Sequence, residues 1–141
     1  MNEKEPILFA ATKAFINYNE KILILRESSK YSDGANRGKF DIVGGRIKPR
    51  QHFKESLIRE IQEETGLKVE IGKPFHVDEW RPIVKGEQWH IVATFFECKT
   101  NSNQVKLSED HDAFEWINPK DCKNYNLIPN LINAFEAYLN K

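Results

Sequence analysis

Glu60, Glu63 and Glu64 stand at i, i+3 and i+4. On a helix this spacing puts all three carboxylates on one side. Carboxylates held that close repel each other, and a hard divalent cation between them relieves the repulsion. Oxygen donors of this kind suit Mg²⁺ or Mn²⁺. Arg59 adjoins Glu60 and is placed to orient or partly neutralise a carboxylate. Glutamate is also a common surface residue and a good helix former, so the bare triplet equally describes a solvated helix face. The surrounding sequence has to separate these readings.

The helix that would carry the triplet is well marked. Phe53, Leu57, Ile58 and Ile61 repeat at three-to-four spacing and predict a helix over 53–65 with an apolar side for the core. Gly66 is a natural stop, where a left-handed residue without a side chain ends a helix. Upstream, 7–15 and 21–25 are apolar runs joined by Asn17-Tyr18-Asn19-Glu20, which predicts a β-hairpin. Residues 27–38 hold serines, Asp33-Gly34 and Asn36, and predict a loop of about a dozen residues, long enough to suggest a function. A short strand is expected over 40–43, ended by Gly44-Gly45. Strands are expected over 69–80, with an interruption at Pro74, and over 89–98 and 113–117. Pro119 opens a short helical stretch. The last helix places Ile128, Leu131, Ile132, Phe135, Tyr138 and Leu139 on one face, with Pro129 in its first turn. Strands, helix, strands, helix imply an α/β fold with a mixed sheet and helices on its faces.

The stretch from Gly45 to Leu67 resembles the Nudix box, G-x5-E-x7-R-E-U-x-E-E-x-G-U, where U is bulky and apolar. Gly45 opens it, Arg59-Glu60-Ile61 follow at the family's spacing, then Glu63-Glu64 and Gly66-Leu67. There is one departure: the first glutamate of the pattern falls on Gln51, which carries no charge. Gly38 to Gly45 is similar to the family's GxWxxPGG entry, with Phe40 for Trp and Val43 for Pro. Leu107 to Trp116 and Asn126-Leu127-Ile128-Pro129 also look familial. The resemblance implies a Nudix-type α/β/α sandwich, a mixed β-sheet between helices, formed by a single domain over 1–141.

It also implies an activity: metal-dependent hydrolysis of a nucleoside diphosphate linked to another moiety, by attack of water on phosphorus. By the resemblance, Glu60, Glu63 and Glu64 are the metal ligands, for Mg²⁺ or Mn²⁺. One of them, or an acidic residue on a separate loop, activates the water. Asp110 aligns best with that loop residue, and Glu109 competes for the role. Arg59 belongs to the catalytic set. Gly44 and Gly45 let backbone approach the site; Arg26, Phe40 and Trp80 are candidate substrate contacts, with Trp89 a further stacking candidate. A nucleoside triphosphate suits the short chain, Pro82 points weakly to ADP-ribose, and diadenosine polyphosphates are a third class. Gln51 keeps a different reading open, a domain that binds a nucleotide or partner without turnover.

Composition limits the alternatives. The chain has 141 residues, with 21 basic and 21 acidic side chains and a formal net charge of zero. A dedicated nucleic-acid binder would show a basic excess. Two cysteines, Cys98 and Cys122, make no disulfide framework and no zinc pair, and read as reduced thiols of a cytoplasmic protein. No apolar run is long enough to span a membrane. The expected partner is a small nucleotide, and sheet edges together with the 27–38 loop permit a homodimer.

Overall fold

The structure is a computed structural model that describes residues 4–28 and 38–141. Most of the suspected 27–38 loop, residues 29–37, lies outside the described residues. In chain order the strands are β1 (Ile7–Tyr18), β2 (Lys21–Glu27), β3 (Phe40–Asp41) and β4 (Gly44–Arg46), followed by helix α1 (Phe53–Thr65). Then come β5 (Val69–Trp80), β6 (Ile83–Val84), β7 (Glu87–Thr100) and β8 (His111–Ile117). A 3-10 segment, Pro119–Asn124, precedes helix α2 (Pro129–Leu139).

The sheet runs β3-β2-β1-β7-β5, with β4 on β1, β6 on β7 and β8 on β2. It is mixed: β1 and β7 are parallel from Ile7↔Trp89 to Asn17↔Lys99, and the other strand pairs are antiparallel. A parallel pair needs cover on both faces, so its strands read as nearly continuous apolar runs. Alternation sends Phe15, Ile22, Ile24 and Phe95 to one face, where they meet Leu131, Ala134 and Phe135 of α2. Ala14, Leu23, Leu25 and Phe96 face the other way, toward Leu57 and Ile61 of α1. The result is the expected α/β/α sandwich.

Local chemistry explains the joints. The β1–β2 hairpin turns through Asn19 and Glu20, both at positive φ, the conformation of a two-residue turn that matches strand twist. Pro74 sits where the β5–β7 register shifts; β5 is an edge strand, where a residue without N–H is tolerated. Gly66 ends α1 at φ 73°, its N–H donating to the Gln62 carbonyl.

Three expectations need correction. Ile58 is 42% exposed, so the buried stripe of α1 is narrower than its periodicity suggests. Ile132 and Leu139 are also exposed, at 37% and 45%, because Leu131, Ala134 and Phe135 already fill the contact with the sheet. The strand expected over 40–43 stops at Asp41, and Gly44 and Gly45 do not end a strand but pair with Lys13 and Thr12 as strand β4. A β-carbon at Gly44 would lie 2.3 Å from the Thr12 carbonyl oxygen, so only glycine lets β4 approach β1 this closely. Among the described residues no helix is long and apolar enough to cross a membrane.

That contact is rigid backbone on both sides. Gly44→Ala is expected to lower folding stability by about 1–3 kcal/mol, the usual range for forcing an extra carbon into a packed site. Urea unfolding followed by circular dichroism measures it, and an unchanged midpoint would show that β4 can move away freely.

Candidate active site

β1 and β2 pair only at Asn17↔Ile22 and Tyr18↔Lys21. Beyond that, β1 takes β4 at Ala11–Lys13, while β2 takes β8 and β3. The strands therefore splay. In and beside the gap is a cleft of about 400 Å³. Its lining includes Glu27, Asp41, Glu60, Glu64 and Asp110, five acidic side chains, with Lys13 and His111 as the basic ones. The backbone of Ile42, Val43 and Gly44 lies alongside.

Helix α1 delivers Glu60 and Glu64 one turn apart, along the edge of the face that buries Leu57 and Ile61. Glu60 is partly buried beneath β4, and a β-carbon on Gly45 would come within 3.2 Å of its carboxyl carbon. Burial pushes the Glu60 carboxyl above its ordinary range; the negative charge of Glu63 adds to this, and Arg59 opposes it. Arg59 Nη2 stands 3.6 Å from Glu60 Oε1, a loose pair.

Glu64 is treated differently by its surroundings. His111 Nδ1 lies 3.0 Å from Glu64 Oε2, and the Ser108 hydroxyl donates to the same oxygen at 2.6 Å. A carboxylate can only accept, so Nδ1 is the protonated ring nitrogen. The hydrogen bond from His111 holds the Glu64 carboxyl below its ordinary range against the effect of burial, and Ser108 adds to it. Glu64 Oε1 has no partner among the described residues and is left for the cleft. The same serine accepts from the Asp110 N–H at 3.4 Å, and the Asp110 carbonyl accepts from Ser28 N–H. One hydroxyl thus links the last glutamate of the helix to the loop that carries Asp110.

The structure brings Glu60, Glu64, Asp110 and Gly44 to one cleft, with Gly45 packed on Glu60. Glu63 is exposed and lies outside the lining, and it acts on Glu60 through its charge. Arg26 is engaged by Asp112 at 2.7 Å and does not line the cleft. Phe40 packs edge-on against Tyr125. Trp80 lines a neighbouring cavity, and Trp89 is packed between Phe9 and Arg46. Gln51 closes the loop before α1: its N–H donates to the Lys48 carbonyl, and its side-chain oxygen accepts from Lys48 N–H. Burial pushes the Cys98 thiol up to about 12, which removes it as a nucleophile.

Sequence reasoning missed Lys13, Asp41, Ser108 and His111. Lys13 carried a signal, being a lysine inside an apolar strand. The roles of Ser108 and His111 depend on a contact across more than forty residues of chain, which spacing does not encode.

The donor chemistry fits a hard cation: carboxylate oxygens dominate, sulfur is absent from the lining, and glycine backbone leaves room against Glu60. Among the described residues no three acidic, His or Cys side chains are drawn together tightly enough to ligate an ion as they stand.

Comparison with known proteins agrees with this geometry. The chain is 30% identical over 101 residues to the nucleoside triphosphatase NudI of Escherichia coli K12, covering 67% of this chain and 72% of the relative. It is 28% identical over 104 residues to the protein of that name from Klebsiella pneumoniae, with the same coverage. In fold it is similar to a MutT protein from Methanosarcina mazei, with a TM-score of 0.79 at 24% identity over 94% of this chain and 93% of the other. A C. elegans Ap4A hydrolase gives a TM-score of 0.67 at 16% identity, over 94% of each chain. The NUDIX domain family matches residues 9–138. With a helix that presents Glu60 and Glu64 to an acidic cleft beneath a glycine strand, this chain belongs to the Nudix hydrolase family.

Proposed function

We propose that the protein is a divalent-metal-dependent pyrophosphohydrolase of a nucleoside triphosphate. The observation that carries the reading is the convergence of Glu60, Glu64 and Asp110 on one cleft, with the Glu64 carboxylate held on a single oxygen. The NudI relatives, named as nucleoside triphosphatases, favour a triphosphate over ADP-ribose or a dinucleoside polyphosphate.

Glu60 and Glu64, with Glu63 beside them on the helix, would hold Mg²⁺ or Mn²⁺. When bound, the cation neutralises charge on the phosphate oxygens and polarises the anhydride. The chain's own residues do the rest. Ser108 and His111 orient Glu64. The backbone at Gly44 and Gly45 lets a phosphate chain lie close to the carboxylates. Asp110, which lines the same cleft from a separate loop, would take the proton of the attacking water. Holding water and anhydride in line converts a bimolecular attack into a positioned one. The new P–O bond forms to the water oxygen, and the anhydride oxygen leaves with its phosphate group.

Release of phosphate or pyrophosphate tests this, measured over nucleoside triphosphates, ADP-ribose, nucleotide sugars and diadenosine polyphosphates, with Mg²⁺, Mn²⁺ or chelator. Turnover of the triphosphates that stops with chelator is expected. No turnover anywhere in the panel, with Mg²⁺ still raising the melting temperature, would instead identify a domain that binds without hydrolysis.

Glu64→Gln removes a charge and keeps the shape. It should cut kcat by about a hundredfold or more, the scale seen when one preorganised electrostatic group is removed, with little change in melting temperature. An unchanged rate would sink its assignment as a cation ligand. Gln51→Glu is expected to keep or raise kcat, because the loop contact made by the side-chain oxygen survives; a large loss would give Gln51 a role of its own.

A further inference from the structure

Among the described residues, one lysine lines the acidic cleft. Lys13 is a residue of β1, the strand that otherwise supplies Ala11, Phe15 and Ile16 to the core. Its side chain is 12% exposed. Nζ lies 2.9 Å from Asp41 Oδ2, and the other Asp41 oxygen accepts the Ile42 N–H at 2.7 Å. Asp41 is thus fixed by backbone, and it fixes Lys13. An ammonium carries three donors; the contact with Asp41 uses one.

The position of this pair matters more than its existence. Asp41 lines the acidic cleft and also a second cavity of about 310 Å³, whose walls include Trp80, Pro82, Ile128 and Asn130. Lys13 Nζ stands 5.9 Å from the Trp80 ring centroid. The two cavities therefore meet at Lys13 and Asp41. One is rich in carboxylates and suits a metal-bound phosphate chain. The other offers an indole, two prolines and an isoleucine, with Asn130 and the exposed, Glu79-paired Arg81 at its edge, and suits a planar group such as a nucleobase.

A phosphate chain entering a cleft with five carboxylates meets repulsion wherever a cation does not screen it. A bound metal ion acts on the side of Glu60 and Glu64. Among the described residues, the cationic side chain that both lines the cleft and faces Trp80 is Lys13; Arg81, in the second cavity, is mostly exposed and paired with Glu79. We propose that Lys13 is a substrate-binding residue that donates to the phosphate next to the nucleoside, with Asp41 as its positioning residue. The inference rests on the nucleotide reading above and adds the direction of binding: phosphates toward Glu60 and Glu64, nucleoside toward Trp80.

The test is equilibrium binding of the Mg²⁺ complexes of α,β-methylene nucleoside triphosphates, which resist cleavage at that bridge. Four proteins are compared: wild type, Lys13→Arg, Lys13→Met and Lys13→Met/Asp41→Asn. Losing a charge-assisted hydrogen bond should weaken binding about tenfold or more in Lys13→Met, while Lys13→Arg stays within a few-fold. The double variant separates contact from field. If Lys13 only masks Asp41, neutralising both restores wild-type affinity, and the proposal is overturned. If Lys13 touches the phosphate, the double variant stays weak. Melting temperatures report folding, and the double variant avoids an unpaired half-buried carboxylate should Lys13→Met unfold. Wild type that binds no analogue would remove the nucleotide reading itself; tight binding that survives in both Met variants removes this inference alone.

Discussion

The site depends on a divergence. β1 and β2 leave their hairpin as neighbours and separate after two paired residues. Two constraints drive them apart. β1 is committed to a long parallel ladder with β7, and β2 to an antiparallel one with β8. The β1–β7 ladder is buried on both faces over much of its length and β2 is buried from Ile22 to Leu25, so neither strand can slip without turning its apolar side chains outward. The gap between them has to be closed by something narrow. β4, with its paired glycines, is narrow enough to lie on β1, and β3 covers β2. Backbone close to the cleft is thus a consequence of how the sheet is closed, and the approach that the chemistry needs comes with it.

Into that gap project side chains from many elements: Lys13 from β1, Glu27 from β2, Asp41 from β3, Glu60 and Glu64 from α1, and Asp110 from the loop before β8. Their mutual repulsion is managed by different means. Glu64 is stabilised as an anion by two donors on one oxygen. Asp41 is paired with Lys13. Glu60 is left with burial and like charge, against a loose arginine. A cleft with one poorly compensated carboxylate beside a well-held one gains most from a cation, because the cation supplies what the protein has withheld.

The box helix was legible to the residue. Its start at Phe53, its end at Thr65 and the left-handed Gly66 follow from local periodicity and a backbone preference. The sheet was legible in content and approximate bounds, because short apolar runs such as 21–25 are bounded by turn and loop residues that leave no room for a helix. The exposure of Ile58 and Ile132 was not legible, since helical periodicity says which residues share a face and not how wide the partner is. The strand made by Gly44-Gly45 was not legible for a related reason: adjacent glycines mark the end of a strand unless a neighbouring strand is known to come within reach of a β-carbon. Lys13 and Ser108 depend on pairings between distant segments, and a single sequence contains no direct record of those.

Gln51 shows what such a departure does physically. Its side-chain oxygen accepts a backbone N–H from Lys48, a bond that amide and carboxylate oxygens both make. Loop closure therefore does not require the charge. The charge would have stood close to Lys48 and Arg50. Lys48 is one of the groups whose positive charge lowers the Glu60 carboxyl. With glutamine at position 51 the loop keeps both of its hydrogen bonds to Lys48 and adds no further negative charge beside the helix carboxylates. The neutral residue therefore leaves in place the backbone that leads into the box helix.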